Sequence, residues 1–221
     1  MSQEVQEFCL KIVLAGDSGV GKTNILAKFT RDYFSEDTKP TIGVEFATKN
    51  IIVNKNKLAK ASIWDTAGQE QYSAITKNYF RGALGALIVF DITQSITFDS
   101  VDKWLNDVRS HAEEDVIIML VGNKLDLKDK RTVSEEEAIN FSRTNKLLYI
   151  ETSALDSTNI VKAFETLVTE IVNRLGKLKT FQSSQSQKSL PLEEDPLTKK
   201  QGIKIQPQSQ EEKDANKNDC C

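Results

Sequence analysis

The chain has 221 residues, which suits one domain of ordinary size followed by a tail. It contains 39% hydrophobic and 28% charged residues, as soluble globular proteins do, and its formal net charge of −3 argues against a general nucleic-acid binder. The three cysteines have no spacing that fits a disulfide framework or a zinc site. The single histidine, His111, excludes a metal site made of several histidines. We expect a protein of a reducing compartment, without a signal peptide or a membrane-spanning segment.

Apolar runs of strand length recur along the chain, at residues 10–15, 44–53, 58–64, 86–90, 116–121 and 147–150. Four of them are almost continuously hydrophobic, which is typical of parallel strands buried on both faces. The second and third alternate more and are separated by a short polar turn at residues 54–57, which predicts an antiparallel hairpin. Cys9 belongs to the first strand, and we expect it to be a small buried core residue.

Helical spacing of apolar residues lies between these strands. It predicts helical segments around residues 98–108 and 160–175, with Trp104 and Phe164 in the core. Ser134, with Glu137 three residues later, forms a capping box that begins another helix. This alternation predicts an α/β fold whose six-stranded sheet is mostly parallel, with one antiparallel edge strand and helices on both faces. Ligands of such sheets bind beyond the carboxyl ends of the strands.

Composition divides the chain into three parts. Residues 1–7 are polar and acidic and are predicted to be a flexible N-terminus, while residues 8–176 form the domain. Residues 177–221 contain three of the four prolines, many Gln and Ser residues, and eight lysines that nearly balance seven acidic residues. Such a segment buries too little apolar surface to offset its ordering entropy, so we expect a disordered tail.

The most informative motif follows the first strand. Residues 16–23 match the pattern G-x-x-x-x-G-K-[ST], the phosphate-binding P-loop, and an amphipathic helix follows. In such a loop backbone N–H groups bind phosphate, Lys22 reaches the β- and γ-phosphates, and the Thr23 hydroxyl binds Mg²⁺. The motif alone distinguishes neither ATP from GTP nor an enzyme from a switch. The nucleotide contacts expected here are Ser18, Gly19, Val20, Gly21, Lys22, Thr23 and Asn24.

A second motif, Asp-Thr-Ala-Gly-Gln, follows the third strand at residues 65–69. Asp65 is placed to hold Mg²⁺ beside the P-loop, directly or through water. Gly68 can offer its N–H to a γ-phosphate at close range because it has no side chain. The Gln69 amide can orient a water for in-line attack, so Gln69, Gly68 and Lys22 are the candidate catalytic residues. In isolation the motif could be an ordinary turn.

Two further motifs follow the fifth and sixth strands. Asp126 can accept parallel hydrogen bonds from the guanine N1–H and N2–H₂ groups, a pair that adenine does not offer. Asn123 begins the same motif, and the Lys124 stem can lie along the base plane. After the sixth strand, the small residues Ser153 and Ala154 let a backbone N–H approach guanine O6. The ordered set of motifs predicts a guanine nucleotide.

Together these motifs resemble the five nucleotide motifs of Ras-superfamily small GTPases, over residues 8 to 175. Residues 43–49 and 151–159 are most similar to the Rab subgroup of recycling endosomes. The resemblance implies a P-loop small G domain that hydrolyses GTP to GDP with Mg²⁺ as cofactor. No arginine is clearly placed as an internal finger, so we expect slow intrinsic turnover that a partner accelerates. A further resemblance, to the signatures of the Rab family, lies in residues 42–46, 64–70 and 79–83.

The resemblance implies further roles at matching positions. Thr41 lies where the first switch loop closes on Mg²⁺ and the γ-phosphate, which makes Thr23, Thr41 and Asp65 the expected metal ligands. Phe34 lies where a ring packs against guanine, and Leu155 is a further base contact. An ordinary loop residue at Thr41 and a core residue at Phe34 are the alternatives. The expected effector surface comprises Ile42, Gly43, Phe46, Trp64, Tyr72 and Ile75.

Cys220 and Cys221 end the chain and resemble the doubly geranylgeranylated cysteine pair of Rabs. The resemblance implies a monomer on the cytosolic face of endosomes, trans-Golgi or vesicles that cycles through the cytosol. It also implies effector proteins, an exchange factor, a GTPase-activating protein, a prenylation escort and a GDP-dissociation inhibitor as partners. Gln71 stands where most Rabs carry Arg, which bears on partner details rather than on hydrolysis.

Three alternatives stay open at this point. A P-loop ATPase or nucleotide kinase would lack the motif at residues 123–126. A non-hydrolysing GTP-dependent scaffold would be expected to lose Gln69 or Thr41, and both are present. A pure membrane adaptor would show no nucleotide-dependent binding of partners.

Overall fold

The structure is a computed structural model, and it describes residues 6–36, 40–41, 43–53, 57–69 and 73–186. Its strands are β1 Gln6–Ala15, β2 Val44–Val53, β3 Lys57–Thr66, β4 Gly85–Asp91, β5 Ile117–Asn123 and β6 Leu148–Glu151. The helices of the described residues are α1 Lys22–Arg31, α2 Ser73–Phe80, α3 Ser95–Asp99, α4 Val101–His111, α5 Glu135–Thr144 and α6 Ile160–Ser186. A 3₁₀ helix, Leu125–Lys130, follows β5.

The strands form one sheet in the order β2-β3-β1-β4-β5-β6. The β2 strand lies at an edge and pairs antiparallel to β3, whereas the other neighbouring strands pair in parallel. The predicted sheet and its hairpin pairing are therefore confirmed. Residues 54–56 of the hairpin turn lie outside the described residues, and Lys57, predicted as part of the turn, is the first residue of β3.

Two apolar clusters cover the two faces of the sheet. One joins β1 and β3 to α1 and α6, and includes Phe29 and Phe164. The other joins β4 and β5 to α4 and α5, and includes Phe90 and Trp104. Every residue of β4 is buried, because apolar side chains cover the central strands on both sides. The predicted helices on both faces, and the core positions of Trp104 and Phe164, are confirmed.

The burial of Cys9 was predicted wrongly, since this residue is exposed. Successive side chains of a strand point to opposite faces, and Phe8 and Leu10 occupy the buried face. In addition, β4 flanks β1 only from Ile12 onward, so Cys9 lies on a part of the strand with a single neighbour, β3.

The limits of the domain differ from those predicted. Gln6 and Glu7 belong to β1 and pair with β3, so the predicted flexible stretch of residues 1–7 is too long, while residues 1–5 lie outside the described residues. The last helix runs ten residues past Gly176, to Ser186. Adding residues to an existing helix costs far less than nucleating one, which a composition argument does not capture. Disorder of residues 187–221 stays a prediction.

Two helical details refine the sequence interpretation. The periodic segment at 98–108 is two helices rather than one, separated at Ser100, and α3 is held to the end of β4 where Asp91 N–H donates to Thr97 Oγ1. The cap at Ser134 is confirmed, because its Oγ accepts a hydrogen bond from the Glu137 N–H at 3.2 Å. Within the described part of the chain, no helix combines the length and apolarity needed to cross a bilayer.

Candidate functional site

The P-loop after β1 has a backbone that requires glycine. Gly16 and Gly21 have φ angles of 137° and 98°. A Cβ atom at Gly16 would lie 2.2 Å from the Val89 carbonyl oxygen, and one at Gly21 would lie 2.4 Å from Asn123 Nδ2. The loop therefore packs directly on the ends of β4 and β5. Such left-handed turns aim successive backbone N–H groups into a concave anion site.

Lys22, the first residue of α1, is folded back into this loop. Its side chain is only 6% exposed, and Nζ donates hydrogen bonds of 2.8 Å to the carbonyl oxygens of Gly16 and Asp17. Burial lowers the pKa of Lys22 to about 8, although Asp65 and Asp17 act in the opposite direction. The ammonium group thus lies at the N-terminus of α1, where it and the helix dipole both favour an anion.

Two hydroxyls and one carboxylate meet beside the loop. Thr23 Oγ1 donates to Asp65 Oδ2 at 2.5 Å and lies 2.9 Å from Thr41 Oγ1. The other carboxylate oxygen, Asp65 Oδ1, is buried and has no hydrogen-bond partner among the described residues. Burial raises the pKa of Asp65 to about 6, against the effects of Lys22 and Thr23. A buried carboxylate oxygen without a partner, next to two hydroxyls, is a donor set that fits Mg²⁺.

The segment after β3 closes on the P-loop from the other side. Gly68 is buried, and a Cβ atom there would lie 2.5 Å from both Asp17 C and Ser18 N. Only a glycine can bring its backbone so close to Asp17 and Ser18 of the P-loop. Gln69 follows and is half-buried. Gln69 is not among the residues that line the cleft, so its catalytic role stays a prediction.

The motifs after β5 and β6 are joined to each other and to the P-loop. Asn123 Nδ2 donates to the Val20 carbonyl at 2.9 Å, which links β5 to the loop. Ser153 Oγ donates to Asp126 Oδ1 at 2.6 Å, so the serine orients the carboxylate. Lys124 has a left-handed backbone, with φ 68°, and its Nζ forms an ion pair with Asp91 at 2.6 Å.

These parts enclose a cleft of about 470 Å³ at the carboxyl edge of the sheet. Most of the expected nucleotide contacts line it, whereas Val20, Asp65 and Ser153 lie beneath its surface and are fully buried. The sequence missed several lining residues that belong to no motif, and these are Ser35, Glu36, Pro40 and Leu127. The expected contacts found in the lining are Ser18, Gly19, Gly21, Lys22, Thr23, Asn24, Phe34, Thr41, Gly68, Asn123, Lys124, Asp126, Ala154 and Leu155.

The segment after α1 is held to that helix by Asn24. The Asn24 amide donates to the Ser35 carbonyl at 2.9 Å and accepts from the Ser35 N–H at 3.3 Å. Phe34 lines the cleft and also packs against the core, and packing of its ring against guanine stays a prediction. Asn24 therefore shapes the rim of the cleft, and its side chain is committed to the backbone.

Part of the expected effector surface is described. Phe46 is 52% exposed, and its ring lies 4.8 Å from that of Trp64, which in turn lies 5.6 Å from Tyr79. Gly43 is half-buried at the start of this hairpin. Tyr79 was not among the expected effector residues, because the sequence does not show that α2 brings it to this surface. The positions outside the described residues or side chains are Ile42, Tyr72, Ile75, Gln71, Cys220 and Cys221.

Comparison with known proteins gives a consistent result. The model of the Ras family matches residues 11–173. The chain is 56% identical over 172 residues to the GTP-binding protein ypt3 of Schizosaccharomyces pombe, covering 77% of this chain and 80% of that protein. It is 56% identical over 171 residues to the Ras-related protein YPTC6 of Chlamydomonas reinhardtii, covering 77% and 79%. It is 50% identical over 185 residues to RABA1e of Arabidopsis thaliana, covering 84% of each.

The fold, the cleft and these relatives agree with one another. A P-loop domain with a six-stranded sheet carries the ordered nucleotide motifs at one edge, and the matches extend over most of the chain. The chain belongs to the Ras family, and within it to the Rab small GTPases, which hydrolyse GTP.

Proposed function

We propose that this GTPase is a switch that regulates vesicle traffic, in the recycling-endosome or a related membrane pathway. The observation that carries the proposal is the convergence of Thr41 and Gly68 on the P-loop. Thr41 comes from the segment before β2, and Gly68 from the segment after β3. One approaches Thr23 and the other approaches Asp17. Both segments would therefore sense whether a γ-phosphate lies between them.

The chain's own residues divide the chemistry of hydrolysis. Mg²⁺, held by Thr23, Thr41 and Asp65, would neutralise charge on the β- and γ-phosphates. Lys22, whose Nζ donates to two loop carbonyls, would stabilise the same charge. Gln69 orients the attacking water. We expect a slow intrinsic rate, because in Ras a partner's arginine accelerates the reaction by about 10⁵-fold.

Guanine selectivity is the first test of the site. Wild-type protein should bind fluorescent GDP and GTP and release them to excess GTP but not to excess ATP. The variant Asp126→Asn should lose guanine binding and prefer xanthine nucleotides, because its amide matches the xanthine edge. Retained GTP selectivity in this variant would contradict the role of Asp126. The lost pairing is worth about 1–5 kcal/mol.

Single-turnover hydrolysis separates the switch from a non-hydrolysing adaptor. We expect the wild type to hydrolyse bound GTP slowly, and Gln69→Leu to retain GTP because it cannot orient the water. Equal hydrolysis by the two proteins would remove Gln69 from the mechanism. An adaptor would bind GTP and show no hydrolysis in either form.

The aromatic surface of Phe46, Trp64 and Tyr79 supports recognition of effectors. Phe46 is exposed and Trp64 and Tyr79 are half-buried, and such a group of neighbouring aromatic rings is the kind of anchor that dominates protein interfaces. GTP-loaded protein should retain effectors in a pull-down, and the GDP-loaded form should not. Phe46→Ala should abolish this retention, whereas Ile52→Ala is a matched control, since Ile52 is 74% exposed six residues further along the same strand. Loss of retention with both variants would contradict a local surface.

Membrane attachment is the remaining part of the proposal. We propose that Cys220 and Cys221 both carry prenyl lipids, because two chains give stable anchoring where one gives only marginal binding. Replacing both cysteines by serine should move the protein from the membrane fraction to the soluble fraction of cells. Persistent membrane fractionation of the double variant would contradict lipid anchoring, and Cys9→Ser serves as the control.

A further inference from the structure

A tryptophan outside the nucleotide motifs contacts the P-loop. The indole Nε1–H of Trp104, on α4, donates a hydrogen bond of 2.7 Å to Asp17 Oδ1. The two residues are 87 positions apart in sequence. Trp104 is 3% exposed, so its N–H has little access to water and depends on a protein acceptor. The partner is an acidic residue, and hydrogen bonds to charged groups are stronger than neutral ones.

Asp17 is the point at which three parts of the site meet. Its backbone carbonyl accepts one of the two hydrogen bonds of Lys22 Nζ. Its carbonyl carbon and oxygen form the wall against which Gly68 packs, at distances that leave no room for a Cβ atom. A shift of Asp17 would therefore move the acceptor of Lys22 and the seat of Gly68 together.

The neighbouring residue of the loop is held in a different way. Gly16 lies directly on the backbone of Val89 in β4, so the sheet itself fixes its position. Asp17 is the next residue and follows the end of β1, and Ser18 beyond it is exposed. The Trp104 hydrogen bond therefore supports the loop at the point where it leaves the sheet.

We propose that Trp104 is a positioning residue of the nucleotide site, which acts through Asp17 to hold the P-loop in the conformation that retains the phosphates. Trp104 does not itself line the cleft. Its packing with Val101, Leu105 and Val108 of α4 in the second apolar cluster fixes the indole, and the indole fixes the loop. The inference rests on the proposed assignment of the cleft as the GTP site.

Nucleotide release tests the proposal. With fluorescent GDP bound in the presence of Mg²⁺, Trp104→Phe keeps a ring in the core but removes the donor, and should release GDP about tenfold faster than wild type. Asp17→Ala should do the same, and it keeps the test available if Trp104→Phe does not fold. The double variant should be no faster than either single one, because both remove the same hydrogen bond.

Two further variants separate positioning from mere stability. Asp17→Asn keeps an oxygen acceptor but loses the charge, so its GDP release should lie between that of Asp17→Ala and that of wild type. Val168→Ala, on α6 in the other apolar cluster, should lower the unfolding temperature yet release GDP at the wild-type rate. Wild-type release by Asp17→Ala, or release by Val168→Ala as fast as by Trp104→Phe, would overturn the proposal. If wild-type protein bound no guanine nucleotide, the proposed site itself would fall instead.

Discussion

At the scale of single residues, the site is defined by places where a side chain does not fit. Gly16, Gly21 and Gly68 each lie against a neighbouring group at a distance that excludes a Cβ atom. Gly16 and Gly21 shape the cradle, and both have left-handed backbones. Gly68 differs, because its role is to let a second segment touch the first. Glycine thus shapes the P-loop itself and also lets the segment after β3 approach the P-loop.

Replacing Gly68 by Ala should separate nucleotide binding from hydrolysis. The added methyl would collide with the backbone of Asp17 and Ser18, so the segment would be held away from the P-loop and Gln69 with it. We expect GDP binding close to wild type and single-turnover GTP hydrolysis reduced about 10²-fold, as for loss of one transition-state donor. Gly176→Ala is the control, because open space surrounds that position. Wild-type hydrolysis by Gly68→Ala would contradict the argument.

At the scale of elements, an ion pair joins the two segments that carry the proposed base-binding residues. Arg131 follows the 3₁₀ helix that contains Asp126, and it donates two hydrogen bonds, of 2.7 and 2.8 Å, to Glu151 at the end of β6. Tyr149 O–H also donates to this carboxylate at 2.8 Å. Ser153 follows two residues later. This bidentate contact therefore helps to position the two segments that carry the proposed base-binding residues.

This ion pair should make stability depend on pH in the acid range. Burial of the Glu151 carboxyl acts to raise its pKa, but the hydrogen bonds from Arg131 and Tyr149 outweigh it, and the pKa lies below its usual value. The stabilisation is therefore fully present above the unfolded-state pKa, about 4.3, and is lost as pH falls through the folded-state pKa. In urea unfolding, Glu151→Gln should cost about 2 kcal/mol at pH 7 and should flatten the loss below pH 4.3.

The control for this prediction is Glu165→Gln, at an exposed position of α6. It changes the net charge equally and should leave both the stability at pH 7 and the acid profile near wild type. An acid profile of Glu151→Gln that is as steep as that of the wild type would show that other groups carry the pH dependence.

The elements were more predictable from the sequence than their boundaries and cross-contacts. Buried parallel strands appear as continuous apolar runs, so β1, β4 and β5 were found. The P-loop and Asp126 motifs predicted a binding site at the carboxyl edge of the sheet, where the structure has a cleft. The exposure of Cys9 was not found, because an apolar run does not show which face lacks a cover. Nor was the Trp104 hydrogen bond, since no local pattern links residues 87 positions apart.

At the scale of the whole molecule, the cleft exists only in the folded chain. Most of its residues come from segments after β1, β3, β5 and β6, which meet because these strands share one carboxyl edge, and residues 34–36 and 40–41 come from the segment between α1 and β2. The helix that begins at the P-loop is itself held by the core, where the rings of Phe29 and Phe164 stack at 4.0 Å. A ligand of the cleft therefore binds the native state and has no equivalent site in the unfolded chain.

Removal of nucleotide should consequently destabilise the entire domain. A ligand present at about 1,000 times its dissociation constant adds about 4 kcal/mol to the free energy of unfolding. Protein stripped of GDP and divalent cations with a chelator should unfold at a markedly lower temperature, and GDP with Mg²⁺ should restore the original value. ATP with Mg²⁺ should not restore it. In Asp126→Asn, xanthosine diphosphate should stabilise more than GDP does, because the gain follows base recognition. Equal stabilisation by ATP and GDP would contradict a cleft that selects guanine.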